Sequence, residues 1–255
     1  GIGCWAFGGG DYWGPQDQRD VEAVVHGALD AGCNYFDTAE VYNDGASESS
    51  LGAALKGRRG RAIVGTKVSP AHCHADALRE HCCESLRRLQ TDYIDLYMVH
   101  WPIHPHSIRH FTSDERLIRE PAPAAEAFET LARLRAEGKI RHIGVSNFGR
   151  ARLAEASAVT EIAVNELPYS LLARAIELDA LPACQAGGVG VIGYLSLMQG
   201  LLAGKYASLA DVPAKRRRTR HFADRADNLC RHGQGGAEPQ TEAALAAVGA
   251  IARRE

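Results

Sequence analysis

Three successive apolar segments of this 255-residue chain each end in an ionisable side chain, namely Asp37, Lys67 and His100. A fourth candidate, Tyr42, lies five positions beyond Asp37, in the segment that follows the first of these runs. Burying a lysine at the end of an apolar strand is unfavourable unless a carboxylate balances its charge, and Asp37 is the obvious partner. The pattern therefore predicts that an ammonium, a carboxylate, a phenol and an imidazole meet in one place.

These four side chains have the chemistry needed to protonate an oxygen on which negative charge develops. A free phenol has a pKa of about 10 and gives up its proton poorly at neutral pH. We expect the Lys67 ammonium to stabilise the phenolate, which lowers the pKa of Tyr42 and makes it a general acid. Asp37 would hold the lysine, and His100 would donate a hydrogen bond to the substrate carbonyl. Such protonation is half of a carbonyl reduction, and the hydride must come from a nicotinamide cofactor.

Two other interpretations use the same residues. In the first, Asp37 and Lys67 form a structural ion pair and His100 is a hydrogen-bonded core histidine. This structural interpretation is the better explanation for any one of these three residues taken alone. Three such residues at the ends of consecutive segments favour chemistry instead. Lys67 could also form a Schiff base with a carbonyl substrate in aldol chemistry, and borohydride would trap that adduct.

The elements that would position these residues repeat along the chain. Apolar runs end near residues 7, 37, 67, 99, 145, 164 and 193, and helical patterns cover residues 19–31, 75–89, 124–136 and 241–252. The runs are continuously apolar, which is typical of parallel strands covered on both faces. Most steps are about thirty residues, which is the length of one strand, one helix and two loops. We therefore predict a (β/α)8 TIM barrel, whose active site lies at the carboxyl ends of the strands.

We predict one domain over residues 1–255, in which residues 204–255 form an extended loop followed by a terminal helix. Residues 103–121 are rich in histidine, proline and charge and are expected to form a long loop. No eighth apolar run follows Leu202, so we expect a barrel that lacks its eighth strand and the helix paired with it.

Composition narrows the class of protein. Hydrophobic residues make up 45% of the chain and charged residues 24%, which is typical of a globular protein and excludes a disordered or fibrous one. The formal net charge of −2 argues against a nucleic acid or a membrane surface as partner. No apolar stretch reaches the roughly 18 residues of a membrane span, and the first residues lack the basic start of a signal peptide. We therefore expect a cytoplasmic protein.

No metal site is expected. The seven cysteines include no pair with the CxxC spacing, and the histidine-containing segments 72–74 and 104–106 each lack a second cluster at zinc-site spacing. The opening residues GIGCWA match a loose dinucleotide-binding pattern, but no strand precedes them and glycines follow where a helix should begin.

The candidate residues lie within longer motifs. These are FDTAEVY at 36–42, GTKV at 65–68, DYIDLYMVHWP at 92–102, GKIRHIGVSNF at 138–148 and GLLAGKY at 200–206. In this order they resemble the aldo-keto reductases over essentially the whole chain. The resemblance implies a catalytic tetrad of Asp37, Tyr42, Lys67 and His100, which agrees with the set reached from the strand ends.

The resemblance also implies a site for NADPH or NADP+, with NADH as an alternative. Ser146 and Asn147 match residues that bind the nicotinamide carboxamide, Glu166 occupies a third position of that site, and Tyr194 matches the aromatic that stacks on the ring. The following loop resembles the segment that wraps the pyrophosphate, with implied contacts from Leu195, Leu197, Gln199 and Lys205.

The chain departs from the family pattern in three ways. Glu166 stands where the family usually has glutamine, and an ionised carboxylate cannot donate to the carboxamide carbonyl, so either Glu166 is protonated or the contact is weaker. Leu195-Ser196 replaces Ser-Pro, which removes a hydroxyl contact. The family's amino-terminal hairpin and eighth strand are not found, so we expect a truncated barrel without the segment that reads the 2′-phosphate.

The function expected from these motifs is reversible NADP(H)-dependent reduction of aldehyde or ketone carbonyls, with Tyr42 as the general acid. Trp5 and Trp101 resemble the walls of the pocket for a small-molecule carbonyl substrate. The alternative is a cofactor-binding regulatory subunit without significant turnover, because the β-subunits of potassium channels are similar. The sequence does not mark an oligomeric state.

Overall fold

The computed structural model describes residues 1–254 and contains one sheet whose strands lie in chain order. The strands are β1 (Ile2–Gly3), β2 (Tyr35–Asp37), β3 (Ile63–Val68), β4 (Ile94–Val99), β5 (Ile140–Ser146), β6 (Val164–Pro168) and β7 (Gly190–Tyr194). The helices are α1 (Gln18–Asp30), α2 (Ala46–Ala54), α3 (Ala75–Arg88), α4 (Pro105–Ile108), α5 (Glu115–Arg119), α6 (Ala124–Ala136), α7 (Arg150–Ser157), α8 (Ala180–Ala186) and α9 (Glu238–Ala252). Consecutive strands pair in parallel, and the segments that connect them from β1 to β7 contain helices. This order confirms the predicted (β/α)8 type of fold, with seven strands in the described residues.

The chain divides into two compact units. The first comprises residues 1–167 and 178–192 and holds most of the sheet, and the second comprises residues 168–177 and residues 193 onward. The second unit has its own buried apolar cluster, formed by Met198, Leu201, Leu209, Val212, Phe222 and Cys230. Within the predicted loop-and-helix region, helix α9 begins at Glu238, three residues before the predicted start.

Strand β4 is buried along its entire length, from Ile94 to Val99. This is the continuous apolar pattern that parallel strands covered on both faces require. Its one charged residue, Asp95, is neutralised by Arg59 at 2.7 Å and Arg141 at 2.9 Å. The strand therefore gives a rigid base from which the residue that follows it, His100, projects.

Helix α1 shows how the helical segments are fixed locally. The Asp17 side chain accepts a hydrogen bond from the Arg19 backbone N–H at 2.9 Å and caps the first turn. Val21, Val25 and Leu29 recur every four residues, and all three are buried, so they form the face that packs on the core. The predicted helix at 19–31 is confirmed within one residue at each end.

Helix α2 has no apolar stripe in its sequence, because small and polar residues fill it. Its interior is nevertheless buried, and the Glu48 carboxylate accepts hydrogen bonds from Thr66 and Arg88, both at 2.6 Å. Tertiary contacts rather than periodicity therefore determine this helix.

Two predicted boundaries differ from the structure. The run ending near residue 164 was expected to be a strand, but β6 begins at Val164, because its register with β5 starts at the pair Gly144 and Val164. Residues 103–121 contain the short helices α4 and α5 rather than a continuous loop.

None of the helices within residues 1–254 combines the length and the apolar character that crossing a membrane requires.

Candidate active site

Lys67 lies at the centre of a polar cluster at the carboxyl ends of β2, β3 and β4. Its side chain is fully buried, and Nζ donates to both Asp37 carboxylate oxygens at 2.7 Å and to the Thr38 carbonyl at 3.1 Å. Burial alone would lower the pKa of Lys67, but the charges of Asp37, Tyr42 and Glu166 raise it well above its usual value. Lys67 is therefore a fixed ammonium ion.

A second phenol, missed by the sequence analysis, supports Asp37. The Tyr35 hydroxyl donates to Oδ1 of Asp37 at 3.4 Å. Gly65 on β3 makes room for it, because a Cβ at that position would lie 2.5 Å from the Tyr35 hydroxyl oxygen. Tyr35 and Asp37 are two residues apart on β2, so their side chains share one face of the strand. That spacing is the signal that would have identified Tyr35.

Tyr42 lies against the Lys67 ammonium, with Nζ 5.2 Å from the centroid of its ring. Its ring also meets the His100 ring edge-on, with centroids 5.5 Å apart. Burial raises the pKa of Tyr42, the charge of Lys67 lowers it, and the charges of Asp37 and Glu166 raise it, so that the pKa is about 12. The expectation of a lowered pKa is therefore wrong, because desolvation outweighs the ammonium. Tyr42 is fully protonated at neutral pH, which is the form that a general acid needs.

His100 is held as a neutral imidazole. Its backbone N–H donates to the Val68 carbonyl at 2.9 Å, which fixes the residue just beyond β4. Burial, and then the charge of Lys67, keep the pKa of His100 well below its usual value of 6.5. Its Nδ1 has no hydrogen-bond partner within residues 1–254. A neutral imidazole can donate an N–H to a substrate oxygen without competing with Tyr42 as a proton source.

Glu166 on β6 places a second carboxyl group beside Lys67. Its Oε2 lies 3.4 Å from Nζ and makes no hydrogen bond to any other described residue. Burial raises the pKa of Glu166 to about 8, with the charge of Lys67 opposing this rise and that of Asp37 adding to it. Of the two possibilities left by the sequence, the structure thus favours a protonated Glu166 at neutral pH.

Ser146 and Asn147 lie next to Glu166, because Ser146 pairs with Glu166 in the register of β5 and β6. The Ser146 hydroxyl donates to the Glu166 backbone carbonyl at 3.2 Å, and Nδ2 of Asn147 donates to Oγ of Ser146 at 2.9 Å and to the His100 carbonyl at 3.2 Å. A hydroxyl, an amide and a protonated carboxyl with one unpartnered oxygen complement the donors and acceptors of a carboxamide. This donor set therefore fits the nicotinamide end of the predicted cofactor.

The remaining predicted cofactor residues belong to the second unit. Tyr194 ends β7, and three residues of the loop that follows have positive φ angles, namely Leu195 at 57°, Met198 at 46° and Gln199 at 56°. Left-handed conformations of such residues cost about 1–3 kcal/mol each and concentrate in ligand-binding segments. The loop after β7 thus holds three non-glycine residues in left-handed backbone conformations.

The side chains of this loop have different environments. Leu195 packs against the buried cluster of the second unit, whereas Leu197 is 60% exposed. Oε1 of Gln199 is buried and makes no hydrogen bond with the described residues, and Lys205 lies with Nζ 5.9 Å from the Tyr206 ring. Leu197 and Lys205 are therefore exposed, whereas Leu195 is partly buried against this cluster, and their contacts with a cofactor stay predictions.

Trp5 provides an aromatic surface on one side of Tyr42. The centroids of the two rings are 5.9 Å apart. Trp5 also stacks on Tyr12 at 4.9 Å and meets Trp13 edge-on at 5.3 Å. Tyr12 and Trp13 lie in the glycine-rich segment after β1, where the sequence gives no periodic signal. Trp5 thus lies beside the phenol, and its role as a pocket wall stays a prediction.

Trp101 is exposed, whereas its neighbour His100 is buried. It is 36% exposed, and its ring lies 6.1 Å from that of His110. Phe111, which the sequence analysis did not identify, contacts the His100 ring at 5.3 Å instead. The segment after β4 therefore covers the imidazole with Phe111.

A second polar cluster is built on Glu40, which lies in the segment that carries Tyr42. Oε1 of Glu40 accepts from the Ser69 backbone N–H at 2.8 Å and lies 2.9 Å from Nδ1 of His72. Oε2 lies 2.7 Å from Nδ1 of His81, and the two imidazole rings stack with centroids 3.8 Å apart. The sequence pattern indicated no second cluster at zinc-site spacing that could partner His72. Spacing could not reveal one, because His72 and His81 lie 32 and 41 positions from Glu40.

Known proteins share both the sequence and the fold of this chain. A sequence profile of the Aldo/keto reductase family matches residues 1–254. Aldo-keto reductase YhdN of Bacillus subtilis is 33% identical over 97% of this chain and 69% of its own length. The NADH-specific methylglyoxal reductase of Escherichia coli is 35% identical over 80% of this chain and 65% of its own. A crystal structure of an aldo/keto reductase from Klebsiella pneumoniae in complex with NADP and acetate has a TM-score of 0.64 and 37% identity, over 80% of this chain and 65% of that one. The chain thus spans about two thirds of the length of these relatives.

Proposed function

The chain belongs to the aldo/keto reductase family, and we propose on this basis that it reduces aldehyde or ketone carbonyls to alcohols with NADPH, Tyr42 being the general acid. The observation that carries the proposal is the buried Lys67 ammonium, which Asp37 binds through two hydrogen bonds of 2.7 Å and which lies against the Tyr42 ring. A structural ion pair alone would not need a buried phenol and a neutral imidazole at the same edge of the sheet.

Each side chain of the tetrad has a separate role in the proton transfer. When bound, the nicotinamide supplies the hydride that the carbonyl carbon receives. Tyr42 gives its phenolic proton to the carbonyl oxygen, so the tyrosine O–H bond breaks as the alcohol O–H bond forms. Because the pKa of Tyr42 is about 12, the phenolate left behind needs the Lys67 ammonium beside it. Asp37 keeps that ammonium in place, and His100 donates an N–H to the same carbonyl oxygen and orients it.

The Schiff-base alternative fits the site poorly. A lysine that attacks a carbonyl must first be a neutral amine. The pKa of Lys67 is raised instead, and its Nζ is occupied by Asp37 and the Thr38 carbonyl. The geometry of Lys67 therefore supports an electrostatic role rather than a covalent one.

We propose NADPH as the preferred cofactor and NADH as the alternative. The relative from K. pneumoniae was solved with NADP, and the relative from E. coli is named as NADH-specific, so the family includes both. Ser146, Asn147 and Glu166 would hold the carboxamide that the two cofactors share, and they do not discriminate between NADPH and NADH.

Three further expectations stay predictions, namely a single domain, a small-molecule carbonyl partner and a cytoplasmic location.

The test mixes the protein with NADPH and a nitrobenzaldehyde and follows the loss of NADPH absorbance, with cofactor binding measured in parallel by fluorescence. An aromatic aldehyde is chosen because Trp5 and Phe111 present aromatic faces beside Tyr42 and His100. We expect saturable NADPH binding and turnover. Binding without turnover, for this aldehyde and for methylglyoxal, would favour a regulatory subunit. Absence of both would contradict the proposal.

Glu166→Gln is expected to remove a pH dependence of NADPH binding. In the unchanged protein, the carboxyl donates to the carboxamide while it is protonated and loses this donor as the pH rises through about 8. Loss of one hydrogen bond corresponds to a roughly 3- to 10-fold fall in affinity. Glutamine keeps its donor at every pH, so the variant should bind NADPH equally well on both sides of pH 8.

The raised pKa of Glu166 also predicts a pH dependence of the free energy of unfolding, which can be measured without cofactor. Because the pKa of Glu166 is raised from 4.5 to about 8, the folded state holds a proton that the unfolded state has lost between these values. The free energy of unfolding should therefore fall as the pH rises from about 4.5 to about 8 in the unchanged protein, and less so in Glu166→Gln. Glu161→Gln, whose side chain is 81% exposed, is the control. Identical pH profiles for Glu166→Gln and the unchanged protein would show that Glu166 is ionised throughout.

A further inference from the structure

We propose that Glu40, His72 and His81 form a binding site for a divalent transition-metal ion, for which zinc is the best chemical match. One ligand atom from each residue lies within 4.8 Å of the other two. The two imidazoles stack with an interplanar angle of 15°, and both present Nδ1 to the Glu40 carboxylate, at 2.9 Å for His72 and 2.7 Å for His81. Three side chains from separate parts of the chain thus converge on one point.

The donor set suits a borderline metal ion. Two imidazole nitrogens and a carboxylate oxygen are the ligands that zinc and its first-row neighbours accept, and three protein ligands leave a fourth position for water. The Ser69 backbone N–H donates to Oε1 of Glu40 at 2.8 Å, which orients the carboxylate as outer hydrogen bonds do in metal sites. Binding requires each Nδ1 to be unprotonated, so each neutral imidazole would carry its single ring proton on Nε2, and any second ring proton would be released to solvent.

The exposure of the three ligand side chains would also let an ion reach the site from solvent. The Glu40 side chain is 4% exposed, so its charge lies in a poorly hydrated place where a cation is favoured. The His72 and His81 side chains are 31% and 28% exposed, so an ion can reach them from solvent without unfolding. The cluster therefore has a closed carboxylate side and an open histidine side.

An ion at this position would join three segments of the first unit. Glu40 lies in the segment between β2 and α2 that also carries Tyr42, His72 follows β3, and His81 lies on α3. The Glu40 backbone N–H donates to the Lys67 backbone carbonyl at 3.1 Å, whereas the side-chain hydrogen bonds of the three ligands reach one another and the Ser69 N–H rather than the side chain of Lys67 or Asp37. We therefore assign the ion a structural role, as a clamp on the segment before Tyr42, and none in proton transfer.

The test titrates zinc into chelator-treated full-length protein by calorimetry, in reducing buffer, and repeats the titration with His81→Phe. Phenylalanine keeps an aromatic ring to stack on His72 but has no ligand nitrogen. Changes to outer hydrogen bonds alone cost about 10- to 100-fold in metal affinity, so loss of a direct ligand should cost at least about 100-fold. Zinc should also raise the Tm of the unchanged protein by several degrees and that of His81→Phe much less.

Two controls separate this cluster from other histidines. His74→Phe removes a neighbour whose Nδ1 lies 3.7 Å from Glu126, and the double variant His106→Ala/His110→Ala removes another close pair, with ring centroids 5.4 Å apart. Both controls should bind zinc as the unchanged protein does. His72→Gln replaces His81→Phe if the latter fails to fold, as judged by circular dichroism without metal.

Cobalt as a spectroscopic probe checks the ligand type. Nitrogen and oxygen ligands give visible d–d bands without the near-ultraviolet charge-transfer band of a thiolate. The proposal is overturned if zinc affinity is unchanged in the folded ligand variant, if the 106/110 double variant loses it, if cobalt shows a thiolate band, or if zinc does not bind.

Discussion

Tyr42→Phe is expected to lower kcat for aldehyde reduction by about 10²- to 10⁴-fold, the range that a positioned general acid contributes. The substitution keeps the ring that lies between Trp5 and His100 and against Lys67. Only the proton donor is lost, so the aromatic contacts and the Asp37–Lys67 pair should persist. NADPH affinity should therefore stay unchanged while turnover falls, as measured by single-turnover NADPH oxidation together with fluorescence binding.

Tyr93→Phe is the matched control for the loss of a phenolic hydroxyl. Tyr93 precedes β4, at the end of the strand opposite His100, with its ring 4.2 Å from the Arg59 guanidinium and 3.8 Å from that of Arg141. Because these contacts use the ring face, the control should keep both stability and turnover. If Tyr42→Phe retained most of its turnover, another group would have to supply the proton and Tyr42 would lose its assigned role.

Lys67→Met is expected to abolish turnover and also to destabilise the fold. Methionine has a similar length but no charge, so Asp37 is left partly buried without its cation. Breaking a buried pair by removing one partner costs about 3–5 kcal/mol, and the 17% exposure of the Asp37 side chain places this case toward the lower end. Urea unfolding at pH 7 measures the loss, and the phenolate at position 42 loses its stabilising ammonium at the same time.

The double variant Asp37→Asn/Lys67→Met separates the two effects of the lysine. With the carboxylate charge removed as well, much of the stability should return, because no uncompensated ion is left. Turnover should not return, since the ammonium is still missing. Lys139→Met is the control, because Lys139 makes a partly exposed pair with Glu137 at 3.4 Å that is worth at most about 1 kcal/mol. Turnover by Lys67→Met near the unchanged level would refute the electrostatic role of Lys67.

The features that could be predicted from sequence are those set by strand ends. Asp37, Lys67 and His100 each follow an apolar run, and parallel strands bring their carboxyl ends to one edge, so the meeting of these side chains follows from pattern and topology together. The direction of the Lys67 effect on Tyr42 was also predictable. The net shift in the pKa of Tyr42 was not predictable, because the desolvation of a phenol depends on how completely Trp5 and other neighbours cover it.

Features that depend on register or on loop path could not be predicted. Glu40 meets His72 and His81 only because the segments after β2 and β3 lie side by side and α3 returns along them. Phe111 reaches His100 through the short helices α4 and α5, which have too few residues for a periodic signal. The protonation of Glu166 likewise depends on burial, which a motif comparison does not report.

The complete enclosure of Lys67 has a consequence for chemical modification of the protein. The other lysines, at positions 56, 139, 205 and 215, are exposed or partly exposed, so acylating reagents reach their amines in the native state. The amine of Lys67 becomes reactive only when the sheet around it opens and the pairing with Asp37 is lost. Its acylation rate, followed by mass spectrometry of the peptide that contains it, is therefore a direct measure of how often this part of the molecule unfolds under native conditions.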